Sequence, residues 1–392
     1  MNVEPFTVNR RLVKKAVDKC LAAVVKIVAK IFCGRLGLMR VALGTALLSL
    51  LASFPLYRGL SQTLDDDVTI QALIVKFHNP LSPIPPDLKD QRLHGGDASH
   101  NDKLELRLTL PILGWLSRTG KWTVVIWNPL AGLVAFYLLA KLAGQALDDN
   151  VAGALFVLAL APTFFGACFF NDYEYGDGIA FMLLLLTMAS RSFVFASVSF
   201  IAAVFADERC VAAAPLLLLY FAVDPGQDER ENRRRKLYFA IVFGAVIWWL
   251  LRLWVAHAFH LSMGTTLLAT RSLIIGNLMK SFPNVFLGTF MAVWAIPLIA
   301  VMCLLVQRRW GTSLIYVGAF AFALAPAFLV YDFDRSACYT FPFLLVSLFS
   351  LRGDKEGAQK YLAAMLVINV LLIAPGDSVL KTLAWVRRAN WP

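Results

Sequence analysis

Long runs of apolar residues, separated by short polar stretches, recur from Val41 to the end of the chain. A helix that crosses a bilayer needs about 20 apolar residues, and fewer where polar cavities thin the path. The pattern predicts about eleven transmembrane helices, at 41–57, 122–142, 151–170, 178–190, 192–206, 211–223, 237–256, 285–305, 312–330, 338–351 and 361–374. The division of 178–223 into three short helices is one of several odd counts that the pattern allows. We therefore predict an all-α polytopic membrane protein in which residues 41–392 form a single bundle.

Residues 1–40 have a different pattern, with apolar and basic positions on opposite sides of a predicted helix. The apolar positions are Val13, Val17, Cys20, Leu21, Val24 and Val28, and the basic ones are Lys15, Lys19, Lys26 and Lys30. This pattern is typical of an amphipathic helix that lies on a membrane surface. Nine Lys and Arg residues against two acidic ones place this helix on the cytoplasmic side. The basic stretch is too long for a cleavable signal peptide.

The composition changes this picture little. The chain has 392 residues, 59% of them hydrophobic and 16% charged, and its mean hydropathy is +0.66. A soluble domain carries about 25% charged residues. The net charge of +11 would suggest a nucleic-acid partner in a soluble protein. In a membrane protein the positive-inside rule accounts for it, so we assign no nucleic-acid role.

An N-terminus in the cytoplasm fixes the side of every loop. The inner loops then carry basic residues, at Arg191, 228–236, 307–310 and 352–360, whereas the loop at 143–150 with Asp148 and Asp149 is an exception. The outer loops are 58–121, 171–178, 207–210, 257–284 and 331–337. Most acidic candidates and all five histidines fall outside. Within the outer loop 58–121, we expect surface helices at 71–77 and 104–116, joined by a rigid, extended linker at 79–87.

The inner loops lack the sequences that bind nucleotides. They contain neither a GxxxxGK[ST] stretch nor a strand–GxGxxG–helix unit. A reaction on the outer face would therefore need an activated donor that is already in the membrane.

Three consecutive carboxylates, Asp65, Asp66 and Asp67, follow the first predicted span. Because adjacent carboxylates repel one another, one of them could keep a raised pKa and act as a base. A pair could instead bind a divalent cation such as Mg²⁺ or Mn²⁺, and the non-functional alternative is a solvated helix N-terminus.

The stretch Asp66-Asp67-x-x-Ile70 resembles the first-outer-loop signature of the GT-C superfamily, membrane glycosyltransferases that use polyprenyl-phosphate sugars. The resemblance implies that Asp66 is the catalytic base, with Asp67 beside it. A long first outer loop, about eleven spans and acidic residues outside are similar to that superfamily as well. No subfamily matches, and we expect no soluble C-terminal domain of the kind that several members have.

Four further sets of residues are candidates for substrate binding. Asp172 and Glu174 could hold sugar hydroxyls or a cation, and Tyr175 could stack on a sugar ring, although a hydrated turn would look the same. His100, Lys103 and Arg107 share a predicted helical face that suits a lipid phosphate. The other two sets are Arg252 with His257 and His260, and Asp332, Asp334 and Arg335. For the sets that contain Arg107 and Arg252, the non-functional alternative is side chains that snorkel to the membrane interface. For the set that contains Arg335, it is a local salt bridge.

These sites lie on one predicted face, which favours a single reaction. We expect an inverting glycosyltransferase that moves a sugar from a polyprenyl phosphate to an acceptor hydroxyl on a glycan, lipid or protein. The expected location is a bacterial inner membrane, with the site facing the periplasm. One rival is a lipid or small-molecule transporter or flippase, and another is an acyl- or phosphotransferase that uses an outer histidine. Cys168 and Cys338 could both approach the outer face, where one disulfide would fit.

Overall fold

The computed structural model describes residues 10–32, 34, 36–53, 68–89, 104–170, 176–223, 229–263, 275, 288–329 and 333–373. In this part of the chain every regular element is helical and no strand occurs, which confirms the predicted all-α fold. The helices, numbered in chain order, are α1 (Arg10–Phe32), α2 (Gly37–Ser53), α3 (Val68–His78), α4 (Pro86–Lys89), α5 (Thr109–Ser117), α6 (Trp122–Leu147), α7 (Asn150–Leu160), α8 (Phe164–Ala167), α9 (Asp177–Ala189), α10 (Phe193–Ala206), α11 (Arg209–Val223), α12 (Glu229–Ala258), α13 (Ala295–Val306), α14 (Trp310–Phe328), α15 (Phe333–Cys338), α16 (Phe341–Leu348) and α17 (Lys355–Ile373).

Four helical segments are long and apolar enough to cross a membrane by length and composition. They are Trp122–Leu147, Arg234–Ala258, Gly288–Val306 and Trp310–Phe328. Shorter apolar helical segments lie at Gly37–Ser53, Asn150–Leu160, Asp177–Ala189, Phe193–Ala206, Arg209–Val223 and Arg335–Leu351. The molecule thus has the helices of a membrane-embedded protein. The predicted division of 178–223 into three helices is confirmed by α9, α10 and α11.

The outer surface of several helices is apolar. On α14, the side chains of Leu314 and Ile315 are 74% and 66% exposed, and Val306 at the end of α13 is 78% exposed. Apolar surface this extensive is typical of helices that face lipid.

Helix α6 lies at the centre of the packing, against α2, α7 and α9, while α10 packs against both α9 and α12. Small residues allow the closest of these approaches. A Cβ atom added at Gly153 on α7 would lie 2.6 Å from the backbone nitrogen of Gly144 on α6. Contacts of this kind between small residues are a common way for membrane helices to associate.

A cluster of aromatic rings fills the core at one end of the bundle. The ring of Phe165 lies 5.2 Å from that of Phe181, 5.3 Å from that of Phe341 and 5.8 Å from that of Phe290, measured between centroids. Phe181 in turn contacts Tyr339 at 4.8 Å. These rings form an apolar floor beneath the polar residues described below.

The predicted outer-loop helices are partly confirmed. Residues 71–77 lie within α3, whereas 104–116 divides into a short 3₁₀ turn at 104–106 and helix α5. The predicted extended linker at 79–87 is wrong at its end, because Pro86 begins the short helix α4. Proline favours the first turn of a helix, where its missing N–H costs nothing. Helix α1 confirms that 10–32 is helical, and it packs against α2, α7 and α17.

Candidate functional site

Asp177, the first residue of α9, is fully buried at one end of the bundle. Its Oδ1 accepts hydrogen bonds from Arg209 Nη2 and from the hydroxyl of Tyr339, both at 2.8 Å. Its Oδ2 accepts one from Arg335 Nε at 2.6 Å. A carboxylate is favoured at a helix N-terminus by the helix dipole. Two guanidinium groups and a phenol therefore converge on one buried carboxylate.

Arg209, at the start of α11, connects this carboxylate to a second one. Its Nε donates to Asp207 Oδ1 at 2.8 Å, and its Nη1 donates to the hydroxyl of Ser336 at 2.7 Å. The guanidinium carbon also lies 4.8 Å from the centroid of the Tyr339 ring, within the range of a cation–π contact. The junction between α10 and α11 is thereby joined to α15.

Arg107 extends the network to the segment before α5. Its Nε and Nη2 donate to the two carboxylate oxygens of Glu208 at 3.1 and 3.0 Å, and Nη2 also lies 3.1 Å from Asp207 Oδ2. Burial alone would raise the pKa of Asp207, but Arg107 and Arg209 outweigh it and hold this pKa below its ordinary value. Burial opposes the charge of Arg107, yet Asp207 and Glu208 raise its pKa above the ordinary value.

We call these six residues the ion-pair cluster: Arg107, Asp177, Asp207, Glu208, Arg209 and Arg335. Their formal charges sum to zero, with three carboxylates and three guanidinium groups. All except the half-buried Glu208 are less than one tenth exposed. Ions withdrawn from water in this way need both a partner and hydrogen bonds, and the geometry supplies both. The cluster links four separate parts of the chain at one end of the bundle.

Arg252, near the end of α12, lies beside this cluster and is only 8% exposed. It is within electrostatic range of Glu208 and Arg107. Its Nη2 donates to the carbonyl of Met263 at 3.1 Å, and its guanidinium lies 5.4 Å from the Trp248 ring. Within the described residues no carboxylate forms an ion pair with Arg252. Among the same residues, Nε and Nη1 of Arg252 have no hydrogen-bond acceptor. Nη1 of Arg107 has none there either.

Comparison with models of known protein families found no match, and searches of curated proteins and of solved structures found no similar chain. The reading of the site therefore rests on its residues and geometry.

A second group of buried polar residues fastens α3 and the segment before α5 to the bundle, and we call it the clasp. Lys76 on α3 is fully buried and donates to the carbonyls of Ser82 and Glu105 at 3.0 and 2.9 Å. The carboxylate of Glu105 accepts hydrogen bonds from the backbone N–H of Ile84, at 3.0 Å, and from that of Ser262. The clasp thus ties α3, the segment before α5 and the chain after α12 together.

The structure brings together three of the residues that the sequence analysis selected, Arg107, Arg252 and Arg335. Arg107 does not lie on a helix as predicted, because the 3₁₀ turn ends at residue 106 and α5 begins at Thr109. Arg335 does not end a span but belongs to α15, after the end of α14 at Phe328. His257 and His260 are exposed, and no described residue forms an ion pair with them.

The other candidates lie outside the described residues. They are Asp66, Asp67, His100, Lys103, Asp172, Glu174, Tyr175 and Asp332. Asp334 is on α15, but its side chain lies outside them too. Their roles stay predictions.

Sequence reasoning missed the centre of the cluster, Asp177 with Asp207, Glu208 and Arg209. The signal was present at 207–209, where three charges separate two apolar runs with no room for a solvated loop. Charges in such a position are expensive unless they pair, so partners elsewhere in the chain had to exist. Nothing in the sequence indicated which partners these are.

Two remaining predictions concern metal ions and cysteines. Among the described residues, no group of three or more His, Cys, Asp or Glu side chains could hold a metal ion. Cys168 and Cys338 do approach each other, with their sulfur atoms 4.0 Å apart, and both are buried thiols in this structure.

Proposed function

We propose that the protein is a glycosyltransferase of the GT-C type that transfers a sugar from a polyprenyl phosphate to an acceptor hydroxyl. In this proposal about eleven spans form a multi-pass bundle in a bacterial inner membrane, and the ion-pair cluster faces the periplasm. The observation that carries the proposal concerns the buried guanidinium of Arg252. It lies beside a neutral cluster, and its Nε and Nη1 donors have no acceptor among the described residues.

In this proposal Arg252 supplies a positive charge at the place where lipid and water meet. The ion-pair cluster is neutral by itself, so the charge of Arg252 is uncompensated among the described residues. A charge in such a place favours an anionic partner, since burial without one is costly. The phosphate of a lipid carrier fits this requirement, because its hydrocarbon tail can stay in the membrane while the phosphate contacts Arg252 and Nη1 of Arg107.

The first outer loop supports placing the base near this phosphate. Helix α3 begins one residue after Asp67, and it packs against α5, which begins two residues after Arg107. In this proposal the carboxylates predicted to act as base lie near the predicted phosphate site. The clasp holds α3 and the segment before α5 against the chain that follows Arg252.

The proposed reaction has one chemical step. Asp66 takes the proton of the acceptor hydroxyl, and the acceptor oxygen attacks the anomeric carbon of the donor sugar. The bond from that carbon to the phosphate oxygen breaks, and the phosphate leaves with the electron pair. Arg252 and Arg107 stabilise the charge that develops on the phosphate, with Arg335 as a third candidate. One base and one leaving group give inversion at the anomeric carbon.

Other predicted residues have supporting roles in this proposal. Asp172, Glu174 and Tyr175 contact the sugar, and His100 and Lys103 extend the phosphate site. A divalent cation, Mg²⁺ or Mn²⁺, would add charge at Asp66 and Asp67 if the enzyme uses one.

The first experiment measures donor binding, since it needs no knowledge of the sugar. Purified protein in detergent is titrated with a fluorescent polyprenyl phosphate and with the matching polyprenol. We expect the phosphate to bind roughly tenfold or more tightly than the alcohol, and Arg252→Gln to abolish the difference. Arg308→Gln, an exposed arginine elsewhere, is the matched control. Equal binding of the phosphate and the alcohol by the wild-type protein would remove the basis of the proposal.

The second experiment measures transfer in proteoliposomes, with a panel of polyprenyl-phosphate sugars and a membrane extract as the source of acceptors. A general base contributes roughly 10²–10⁴ in rate, so Asp66→Asn should lower transfer by about that factor. Asp148→Asn should leave transfer unchanged. Full activity of Asp66→Asn would show that Asp66 is not the base.

A transporter or flippase is the second candidate, and one observation favours it. Several apolar helices are short, such as α7 with 11 residues and α9 with 13, where a span needs about 20. Discontinuous helices around a polar site are common in transporters. Lipid or solute flux without any transferred product would favour this function. Transfer from a phospholipid or acyl donor, lost with His257→Ala or His260→Ala, would favour an acyl- or phosphotransferase.

A further inference from the structure

An apolar groove with basic residues at its rim runs between α10 and α12, away from the ion-pair cluster. Its volume is about 860 Å³, and its lining includes Arg191, Phe193, Lys236, Phe239, Val242 and Val246. Helix α9 separates the groove from the cluster, because Asp177 begins this helix and Arg191 follows its last residue, Ala189, by two. The groove therefore lies at the opposite end of α9 and forms no part of the proposed transferase site.

The floor of the groove is fixed by close packing of the two helices. A Cβ atom added at Gly244 would lie 3.0 Å from Phe200, and the Ser197 hydroxyl donates to the carbonyl of Ala240 at 3.4 Å. The rings of Phe193 and Phe243 lie 5.7 Å apart across the groove. These contacts hold α10 and α12 together beneath the groove.

The walls of the groove are open to the surroundings and apolar. The side chain of Phe239 is 69% exposed, and those of Val242 and Val246 are 55% and 53% exposed. From Phe239 to Val246 the helix rises about 10 Å, which is shorter than the half-thickness of a bilayer core, about 15 Å. The upper part of an acyl chain therefore fits along these walls.

The rim carries the charge that an anionic headgroup needs. Arg191 and Lys236 are both exposed, and no carboxylate among the described residues pairs with either of them. Ser192 caps the N-terminus of α10, where the helix dipole adds partial positive charge. Basic pockets between membrane helices recognise anionic headgroups in this way.

We propose that this groove binds an anionic phospholipid, with the headgroup phosphate between Arg191 and Lys236 and an acyl chain along Phe239, Val242 and Val246. The leaflet is the one that contacts the basic loops. This site needs only the membrane embedding of α10 and α12, so it stands or falls independently of the proposed transferase activity.

The test measures lipid binding to the delipidated full-length protein by native mass spectrometry, with phosphatidylglycerol and phosphatidylcholine as probes. Two cations at the rim should favour phosphatidylglycerol roughly tenfold in the wild-type protein. In the R191Q/K236Q variant we expect this preference to disappear while binding of phosphatidylcholine stays the same. The matched control, R308Q/R309Q, removes two exposed arginines outside the groove and should keep the preference.

The apolar part of the site has its own pair of variants. Val246→Trp fills the groove and should weaken the binding of both lipids, whereas Leu314→Trp, on the exposed face of α14, should weaken neither. Thermal unfolding in detergent checks that all variants are folded. Equal affinity of the wild-type protein for both lipids would overturn the proposal. The proposal would also be overturned if R308Q/R309Q lost the preference for phosphatidylglycerol to the same extent as R191Q/K236Q. Unchanged lipid binding in Val246→Trp, or displacement of the lipid by millimolar glycerol phosphate, would overturn it as well.

Discussion

The two ends of the bundle hold their charges in different ways. At one end, the ion-pair cluster buries three carboxylates and three guanidinium groups above a floor of aromatic rings. At the other end, Asp148 after α6 bonds to Lys355 of α17 at 3.0 Å, and their side chains are 66% and 59% exposed. Both ends contain ion pairs of similar length, yet only one of them excludes water.

This difference in exposure separates charges that contribute to the stability of the fold from charges that contribute little to it. When a buried carboxylate loses its charge, the guanidinium groups beside it stay buried without a compensating charge. When an exposed carboxylate loses its charge, water and dissolved salt screen the cation that it leaves behind. The ion-pair cluster should therefore control the stability of the bundle, and the Asp148–Lys355 pair should not.

The largest effect is expected for Asp177→Asn. This variant keeps the size of the side chain but removes the charge that compensates Arg209 and Arg335, so we expect a loss of about 3–5 kcal/mol in the free energy of unfolding. Denaturant titration in detergent, followed by circular dichroism, measures it. A loss of stability no larger than that of Asp148→Asn, at the exposed end, would show that the cluster is not needed for stability.

A smaller effect is expected for Tyr339→Phe, which removes one hydrogen bond to the Asp177 carboxylate. Hydrogen bonds to charged groups contribute about 1.5–3 kcal/mol, so the free energy of unfolding should fall by that amount. The matched control is Tyr316→Phe, since the Tyr316 hydroxyl bonds to the neutral hydroxyl of Ser347. The control should cost about 0.5–1.5 kcal/mol. A control that costs more than Tyr339→Phe would contradict the assignment of charge to Asp177.

The pH dependence of stability should reflect Asp207. Its pKa lies below the ordinary 3.8, so its contribution is fully present above that pH and is lost as the pH falls further. Below pH 3.8 the free energy of unfolding should therefore decrease with falling pH, by about 1.4 kcal/mol per pH unit for one proton. Denaturant titrations at pH 6, 4 and 3 measure the slope. Asp207→Asn should show a shallower slope, and an unchanged slope would mean that other groups cause the decrease.

The smallest effect is expected for Asp148→Asn at the exposed end. The hydrogen bond and charge of Lys355 lower the pKa of Asp148, but both side chains stay in water. Exposed pairs of this kind contribute little, so the thermal midpoint should not change measurably. A clear decrease in the thermal midpoint would mean that the exposed ion pair also contributes to stability, as the buried cluster does.

The sequence was sufficient to predict where most of the described helices form. Apolar runs fix where helices form, because a backbone in lipid must satisfy its own hydrogen bonds. The three helices of 178–223 and the membrane helix around Arg252 were predicted on this basis. The start of α4 at Pro86 was missed, since proline also suits an extended chain.

The partners within the cluster could not be predicted. Arg107 lies 101 residues from Glu208, and Asp177 lies 158 residues from Arg335. Periodicity specifies which face a residue occupies on its own helix, but it does not specify how distant helices are arranged around one another. For this reason the sequence indicated a phosphate or a local salt bridge for Arg335, but not its contact with the distant Asp177.

The clasp makes three separate parts of the chain depend on two side chains. Lys76 holds the carbonyl of Glu105, and the carboxylate of Glu105 holds the backbone N–H groups of Ile84 and Ser262. A substitution at Glu105 should therefore release α3, the segment before α5 and the chain after α12 at the same time, so we expect these three parts to lose their positions together.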